Sequence, residues 1–239
     1  MALTDSLVSY WKLDEASGNA LDAHGTNDLT DHNTVTSIAG KINNGRHFAA
    51  ASSEYFSHTT NASLETGDID FTLSAWAYLD SFDGNRMIIS KFTAPPDFEW
   101  RVFLQPFGAD NARFTVSNTG SGSDGNVTNA SGTITTGQWY FVVAWHDSVA
   151  NTINIQVNDG TVGSTSWSSG VLAAGASDLE IGSDQTGGEL MDGIIDEVGF
   201  WKRVLTSGER TQLYNSGAGL AYPFSSGARR NRMSLLKVA

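Results

Sequence analysis

The chain contains no cysteine, which excludes a disulfide framework and any thiolate metal site. Proline is nearly as scarce, with four in 239 residues. Positive charge is also short. Fourteen Lys and Arg face 26 Asp and Glu, a net charge of -12, so a fold-wide grip on nucleic acid, which needs clustered cations, is excluded. No window approaches 18 consecutive apolar residues, and no membrane insertion is expected. The opening "MALTDSLVSYWKLDE" has no basic stretch leading into an apolar one, so no secretory leader is expected.

What remains is the texture of strands. Glycine reaches 25 residues and aromatics 10%, with Ser, Thr and Asn between short apolar runs, as in an all-β sandwich with polar turns. "DFTLSAWAYLD" puts Phe71, Leu73, Ala75, Ala77 and Leu79 on one side, and Thr72, Ser74, Trp76 and Tyr78 on the other. "NTINIQVND" alternates Ile153, Ile155 and Val157 against Thr152, Asn154 and Gln156. Period two is the signature of strands with unlike faces. "SLVSYWKL", "RHFAA", "EYFSH", "RMIISKF", "FEWRVFLQ", "ARFTVS", "WYFVVAWHD", "DLEIGS" and "GIIDEVGFWKR" read as further strands. "NDG" at 158–160 predicts a tight hairpin into a polar strand. The Gly/Ser/Asn-rich segment 117–132 reads as a long loop or hairpin tip. In "TSGERTQLYNSG", Thr206 and Glu209 form a capping-box pattern and Gly217 a stop, which predicts one short helix. Residues 1–224 read as one domain, and 225–239 as a tail of different composition.

Four segments stand in a telling order: "LVSYWKLDEASGNALDAHGTNDLT", "FTLSAWAYLD", "TTGQWYFVVAWHDSVANTINIQVNDG" and "LEIGSD" followed by "MDGIIDEVGFWKRVLTSGERTQLYNSG". Together they closely resemble the laminin-G-like jelly-roll domains of the concanavalin A-like lectin/glucanase superfamily. The resemblance implies an all-β, two-sheet antiparallel sandwich with one short C-terminal helix. It places the acidic strand near the N-terminal one. It also implies a calcium site. "ALDAHGTNDLT" is similar to the family's acidic loop, so Asp22, with backbone oxygens near Gly25 and Asn27, and Asp196 are the expected calcium ligands. Thr26 stands where the family often has Asn. The alternative is an Asx-turn at Asp22 and backbone amides bound to Asp196.

Catalysis is not expected. Glycosidases need two carboxyl groups across the sugar bond, and on one strand face that requires acids at i and i+2 or i+4. The acid–apolar–acid–x–acid run of the superfamily's glucanases is absent. Asp68 and Asp70 begin a strand, Asp97 and Glu99 enter one, and the neighbours Asp196 and Glu197 are expected to point to opposite faces. The five histidines show no metal-ligand spacing.

The seven tryptophans are either core or sugar-stacking platforms. Trp76, Tyr78 and Trp167 are the carbohydrate-binding candidates, Trp167 because its surroundings are polar. Two roles remain. One is a non-catalytic structural or attachment protein of a phage virion, as capsid decoration or fibre. The other is a calcium-dependent carbohydrate-binding module, which is extracellular. The partners expected are protein subunits and glycans. The tail carries Arg229, Arg230, Arg232 and Lys237 and no acid, which leaves ten basic against 26 acidic residues in the rest. With Leu235 and Leu236 as apolar anchors and arginines that fork onto carboxylates, it is expected to dock on another subunit as an assembly anchor.

Overall fold

The computed structural model describes residues 1–105, 111–122, 124–130, 132–173, 175–184 and 188–224. The anchor residues Arg229, Arg230, Arg232, Leu235, Leu236 and Lys237 lie outside the described residues.

Among the described residues there are fifteen strands: β1 (Leu7–Trp11), β2 (Thr30–His32), β3 (Thr36–Ala39), β4 (Asn44–Phe48), β5 (Tyr55–His58), β6 (Phe71–Leu79), β7 (Arg86–Lys91), β8 (Trp100–Gln105), β9 (Asn111–Val116), β10 (Gly125–Thr128), β11 (Trp139–Asp147), β12 (Thr152–Val157), β13 (Gly163–Ser166), β14 (Leu179–Ile181) and β15 (Gly193–Trp201). They form two antiparallel sheets. One runs β13-β12-β11-β6-β15-β4-β3, with β1 also paired to β15. The other runs β10-β9-β8-β7-β14-β5-β2.

The alternation read from the sequence decides what lies between the sheets. Phe71, Leu73, Ala75, Ala77 and Leu79 of β6 all enter the central core, as do Ile153, Ile155 and Val157 of β12. They meet Trp100, Val102 and Leu104 of β8 and Phe114 and Val116 of β9. Phe71 sits in an aromatic knot, its ring centroid 6.1 Å from those of Trp100 and Phe114 and 6.4 Å from that of Phe200. At "NDG", Asn158 and Asp159 adopt φ of 52° and 56°, as a primed two-residue turn demands. Part of the segment read as a loop is strand β10, held by four register pairs with β9. Its residues are polar because it is an edge strand with one wet face.

The eight-stranded sheet carries a second core on its outer face. Leu3, Leu7, Tyr10, Trp76, Phe141, Val143, Trp145 and Trp201 pack there under Leu205 and Leu213. The lid is the helix α1 (Ser207–Tyr214). Thr206 and Glu209 close its capping box. The helix ends before Gly217, because Asn215 already turns left-handed at φ 48°, a conformation Asn tolerates. Glu209 also takes a two-pronged hydrogen bond from Arg203, 2.8 Å at each prong, and Arg203 reaches the carbonyls of Ala2 and Asp5. One carboxylate therefore ties the helix start to the N-terminal segment.

Burial by itself raises the Glu209 pKa, but the Arg203 and Thr206 hydrogen bonds outweigh it and hold the group down at about 2. A depressed carboxylate contributes stability above its unfolded value of 4.5 and loses it as pH falls toward 2. Glu209→Ala is expected to destabilise the fold by about 3 kcal/mol at pH 7. Its deficit against the parent should shrink below pH 4, as measured by denaturant unfolding.

Candidate ligand-binding face

The acid pair in β15 marks a change of partner. β6 runs along one side of β15. On the other side β4 pairs with residues 193–195 and β1 with residues 198–201. The pairing to β6 slips between Asp196 and Gly199, and Glu197 takes φ 50°. This bulge breaks the strict alternation that would send the two acids to opposite faces. Both are fully buried, at 0% and 1% exposure, and both feel the charge of Asp14. Asp196 accepts the amide of Ile42 at 2.8 Å. Asp14 accepts the amide of Asn44 and takes an ion pair from Lys12 at 2.6 Å. The carboxylates thus stitch the seam where the ends of β1 and β4 meet. Burial pushes Asp196 up to about 7 and Glu197 up to about 8, and in Glu197 the charge of Asp196 adds to the rise.

Asp22 lies elsewhere. Its backbone bridges Trp11, on the far side of β1 from β15, so two strand spacings, about 10 Å, part it from Asp196. One Asp22 oxygen accepts the amides of Tyr10, His24 and Gly25, and the other that of Asn27. Gly25 is needed because a Cβ there would sit 2.4 Å from the Val8 carbonyl oxygen. Asn27 is buried, and its side chain donates to Ser9 and Ser63. Asp22 and Asp196 thus stand on opposite sides of β1, each engaged with backbone amides. No group of three or more His, Asp or Glu positioned to hold a metal occurs among the described residues.

The aromatic candidates are spoken for. Trp76 is 2% exposed, with Tyr214 of α1 stacked on it at 5.8 Å and Lys41 above its ring at 4.6 Å. It belongs to the second core and offers no ring face to a sugar. Tyr78 is half-buried and leans on Trp139 at 5.6 Å. Trp167 is also half-buried. It packs on the central core, its ring lies over Gly125, and its indole N–H donates to the Gly170 carbonyl.

The seven-stranded sheet has a different outer face. Register aligns Thr30, Ser57, Glu180, Ser90, Arg101, Thr115 and Asn126 in one row across all seven strands. Their chain neighbours Phe56, Leu179, Ile181, Ile89, Trp100, Val102, Phe114, Val116 and Val127 point inward to the core. Alternation therefore builds a polar stripe over an apolar floor. Its middle is roofed. Ser90 donates to the Ser183 carbonyl, and Arg101 pairs with Glu189 and Asp184 while lying on the rings of Phe92 and Phe103.

Toward β5 and β2 the stripe opens into a groove of about 380 Å³. Ser57 and Glu180 form its floor. His32 and Tyr55, stacked at 4.3 Å and 6°, stand on one side, and Ser183 and Leu190 on the other, with Ser53, Thr93 and Asp178 completing the lining. His32 is held by a 2.8 Å hydrogen bond to Ser57. Asp178 accepts the amide of Thr60. Burial raises the Tyr55 phenol, and the nearby Glu180 and Asp178 charges add to it. A groove of this size, with an aromatic wall and a few fixed polar groups, suits a small polar ligand.

Reading the sequence missed these residues. β2 is three residues long and has no period. "DLE" does carry acids at i and i+2, which was the one available signal.

The sequence profile of the concanavalin A-like lectin/glucanases superfamily matches residues 50–209. No curated protein sequence matches the chain. Among solved structures, the binding domain of Paraclostridial Mosquitocidal Protein 1 superposes with a TM-score of 0.72 at 14% identity, over 90% of this chain and 53% of that one. Domain 4 of an extracellular arabinanase from Geobacillus stearothermophilus, in complex with arabinotriose, gives 0.66 at 16% identity, over 90% and 98%. The binding domain of botulinum neurotoxin DC in complex with SialylT gives 0.65 at 11%, over 90% and 52%. The chain thus spans about half of each toxin fragment and nearly all of the arabinanase domain. At these identities the likeness is one of fold.

The acid pair yields a test. A carboxyl whose pKa is raised on folding stabilises the protein below its unfolded value and loses that contribution as pH rises through the folded one. Stability is therefore expected to fall between about pH 5 and pH 8. Glu197→Gln should flatten this slope and stabilise the protein at pH 8 by on the order of 2 kcal/mol. A variant less stable than the parent at pH 8 would mean that the charged form is the one the seam needs.

Proposed function

Because the chain belongs to the concanavalin A-like lectin/glucanase superfamily, we propose that it is a non-catalytic glycan-binding protein whose site is the groove between His32–Tyr55 and Ser183–Leu190. The observation that carries this reading is the contrast between the two outer faces. One is sealed under α1 by a second apolar core, and the other opens into a polar groove with an aromatic wall. Sugars present ring C–H faces and many hydroxyls, and the groove offers both kinds of partner. The similar solved structures are in part binding domains, one of them is in complex with arabinotriose and another with SialylT, which supports the same reading.

Asp178 and Glu180 have the i, i+2 spacing of a catalytic pair. Asp178, however, is committed to the Thr60 amide, and Glu180 is only 3% exposed. We read Asp178, through the carboxylate oxygen that the Thr60 amide does not use, as the acceptor for sugar hydroxyls. A glycan array followed by titration calorimetry is the test. Tyr55→Ala should keep the fold and lose tenfold or more in affinity. A folded parent that binds no glycan would remove the reading, and release of shortened oligosaccharides would remove its non-catalytic part.

The wider role we propose is attachment, with the domain displayed on a larger assembly such as a phage particle and extracellular display as the alternative. The support is charge. The basic segment 225–239 is joined to a body with ten basic and 26 acidic residues, a pairing suited to docking on another subunit. Removing residues 225–239 should leave a folded, soluble, glycan-binding domain that no longer joins the assembly. Normal incorporation of the shortened chain would refute the anchor.

A further inference from the structure

The groove has a charge of one sign. Its acidic members are Asp178 and Glu180, and no lysine or arginine lines it. The nearest cation along the polar row, Arg101, is already paired with Glu189 and Asp184. Outside the described residues, cations occur only within 225–239. The remaining polar lining is hydroxyl, from Ser53, Ser57, Thr93 and Ser183, plus the His32 ring, which is engaged with Ser57. From this lining we infer that the groove selects uncharged glycans and rejects those bearing carboxylate or sulfate groups. The inference rests on the glycan reading above and adds the ligand's class to it.

A carboxylate oxygen accepts and cannot donate, so it pairs with sugar hydroxyls as donors. Hydrogen bonds to a charged acceptor are stronger than neutral ones, worth about tenfold or more in affinity each. A sugar carboxylate or sulfate brings only acceptors and a like charge. Placed about 5 Å from Asp178 in a partly dry groove, it is disfavoured on the order of a hundredfold. The Tyr55 phenol, held in its protonated form by burial and by those same two acids, remains a donor for a sugar ring oxygen or hydroxyl. Serine and threonine hydroxyls serve either role. The site therefore has donors and acceptors for a neutral polyol and no counter-charge for an anion.

The experiment is calorimetry on the full chain with two ligand sets at pH 7.5 and low salt. The neutral set is arabino-, gluco- and galacto-oligosaccharides. The anionic set is sialyllactose and trigalacturonate. Binding to at least one neutral oligosaccharide is expected, with the anionic set weaker by at least about a hundredfold. Asp178→Asn keeps an oxygen for the Thr60 amide and removes the charge. It should lower neutral-sugar affinity about tenfold and narrow the gap to the anionic set. Circular dichroism and the melting midpoint establish that each variant is folded. Preferential binding of the anionic set would overturn the selectivity while leaving the glycan reading in place. Neutral-sugar binding unchanged in both Tyr55→Ala and Asp178→Asn would overturn the placement in this groove. No binding of either set by a folded parent would overturn the selectivity together with the glycan reading.

Discussion

β15 must satisfy three neighbours along nine residues, and most of the eight-stranded sheet depends on how it does so. β6 takes one edge. The other edge is shared end to end by β4 and β1. A plain strand would leave ladder groups unpaired where one partner stops and the next begins, and buried backbone groups without partners are costly. The bulge at Asp196–Glu197 absorbs the mismatch, and the side chains of Asp196 and Asp14 replace backbone partners at the joint. Asp196 reaches back to the Ile42 amide, while Asp14 does the same for Asn44. The drawback is visible in the same place. Asp196 Oδ1 and both oxygens of Glu197 lack a hydrogen-bond partner of good geometry among the described residues, and burial favours their protonated forms. Of the two acids in this apolar strand, Asp196 serves the joint through the Ile42 amide.

Fixing β1 against β15 has a consequence for the outer face of that sheet. It brings Tyr10 beside Trp201 at 6.3 Å and lets the Trp201 indole donate to the Leu3 carbonyl. α1 then closes over Trp76, Phe141 and Trp145. Arg210 of the helix lies on the Trp145 ring at 4.2 Å while its guanidinium binds Gln156 and the Leu205 carbonyl. Aromatic surface of this extent is rarely left exposed, so one short helix with a strong cap is enough to commit the whole face to packing. Among the described residues, the outer face of the opposite sheet carries the open groove.

How much of this was legible depended on whether a feature has a period. β6 and β12 alternate, and their core residues could be named from spacing alone, while β11 and β15 showed as long apolar runs. The capping box at Thr206 and the turn at Asn158 were equally plain, because each needs particular residue types at fixed offsets. β2, β3 and β10 were not legible. They have three or four mostly polar residues, and edge strands are held by backbone pairing more than by side-chain burial. The bulge was hidden for another reason. Alternation assigns Asp196 and Glu197 to opposite faces, and only the register against three partners shows that the alternation breaks there. Trp76 misled because period two gives the face of a residue and says nothing of what covers that face.

The groove was hidden because its parts are far apart in the chain. His32, Tyr55, Ser57, Asp178 and Glu180 meet only because the strand order β14-β5-β2 sets residues near 180, 56 and 31 side by side. Tyr55, Ser57 and Glu180 each contribute an outward side chain beside a core residue, Phe56, Leu179 or Ile181. The floor is consequently rigid: turning any of these residues inward would move Phe56 or Ile181 out of the core, and a one-residue slip in a half-buried sheet reverses every side chain. The walls are less constrained. Ser53, Thr93, Ser183 and Leu190 lie in connections outside the strands, where substitution does not disturb the register. A fold with a floor fixed by register and walls drawn from loops can hold its polar stripe constant while the groove around it is reshaped.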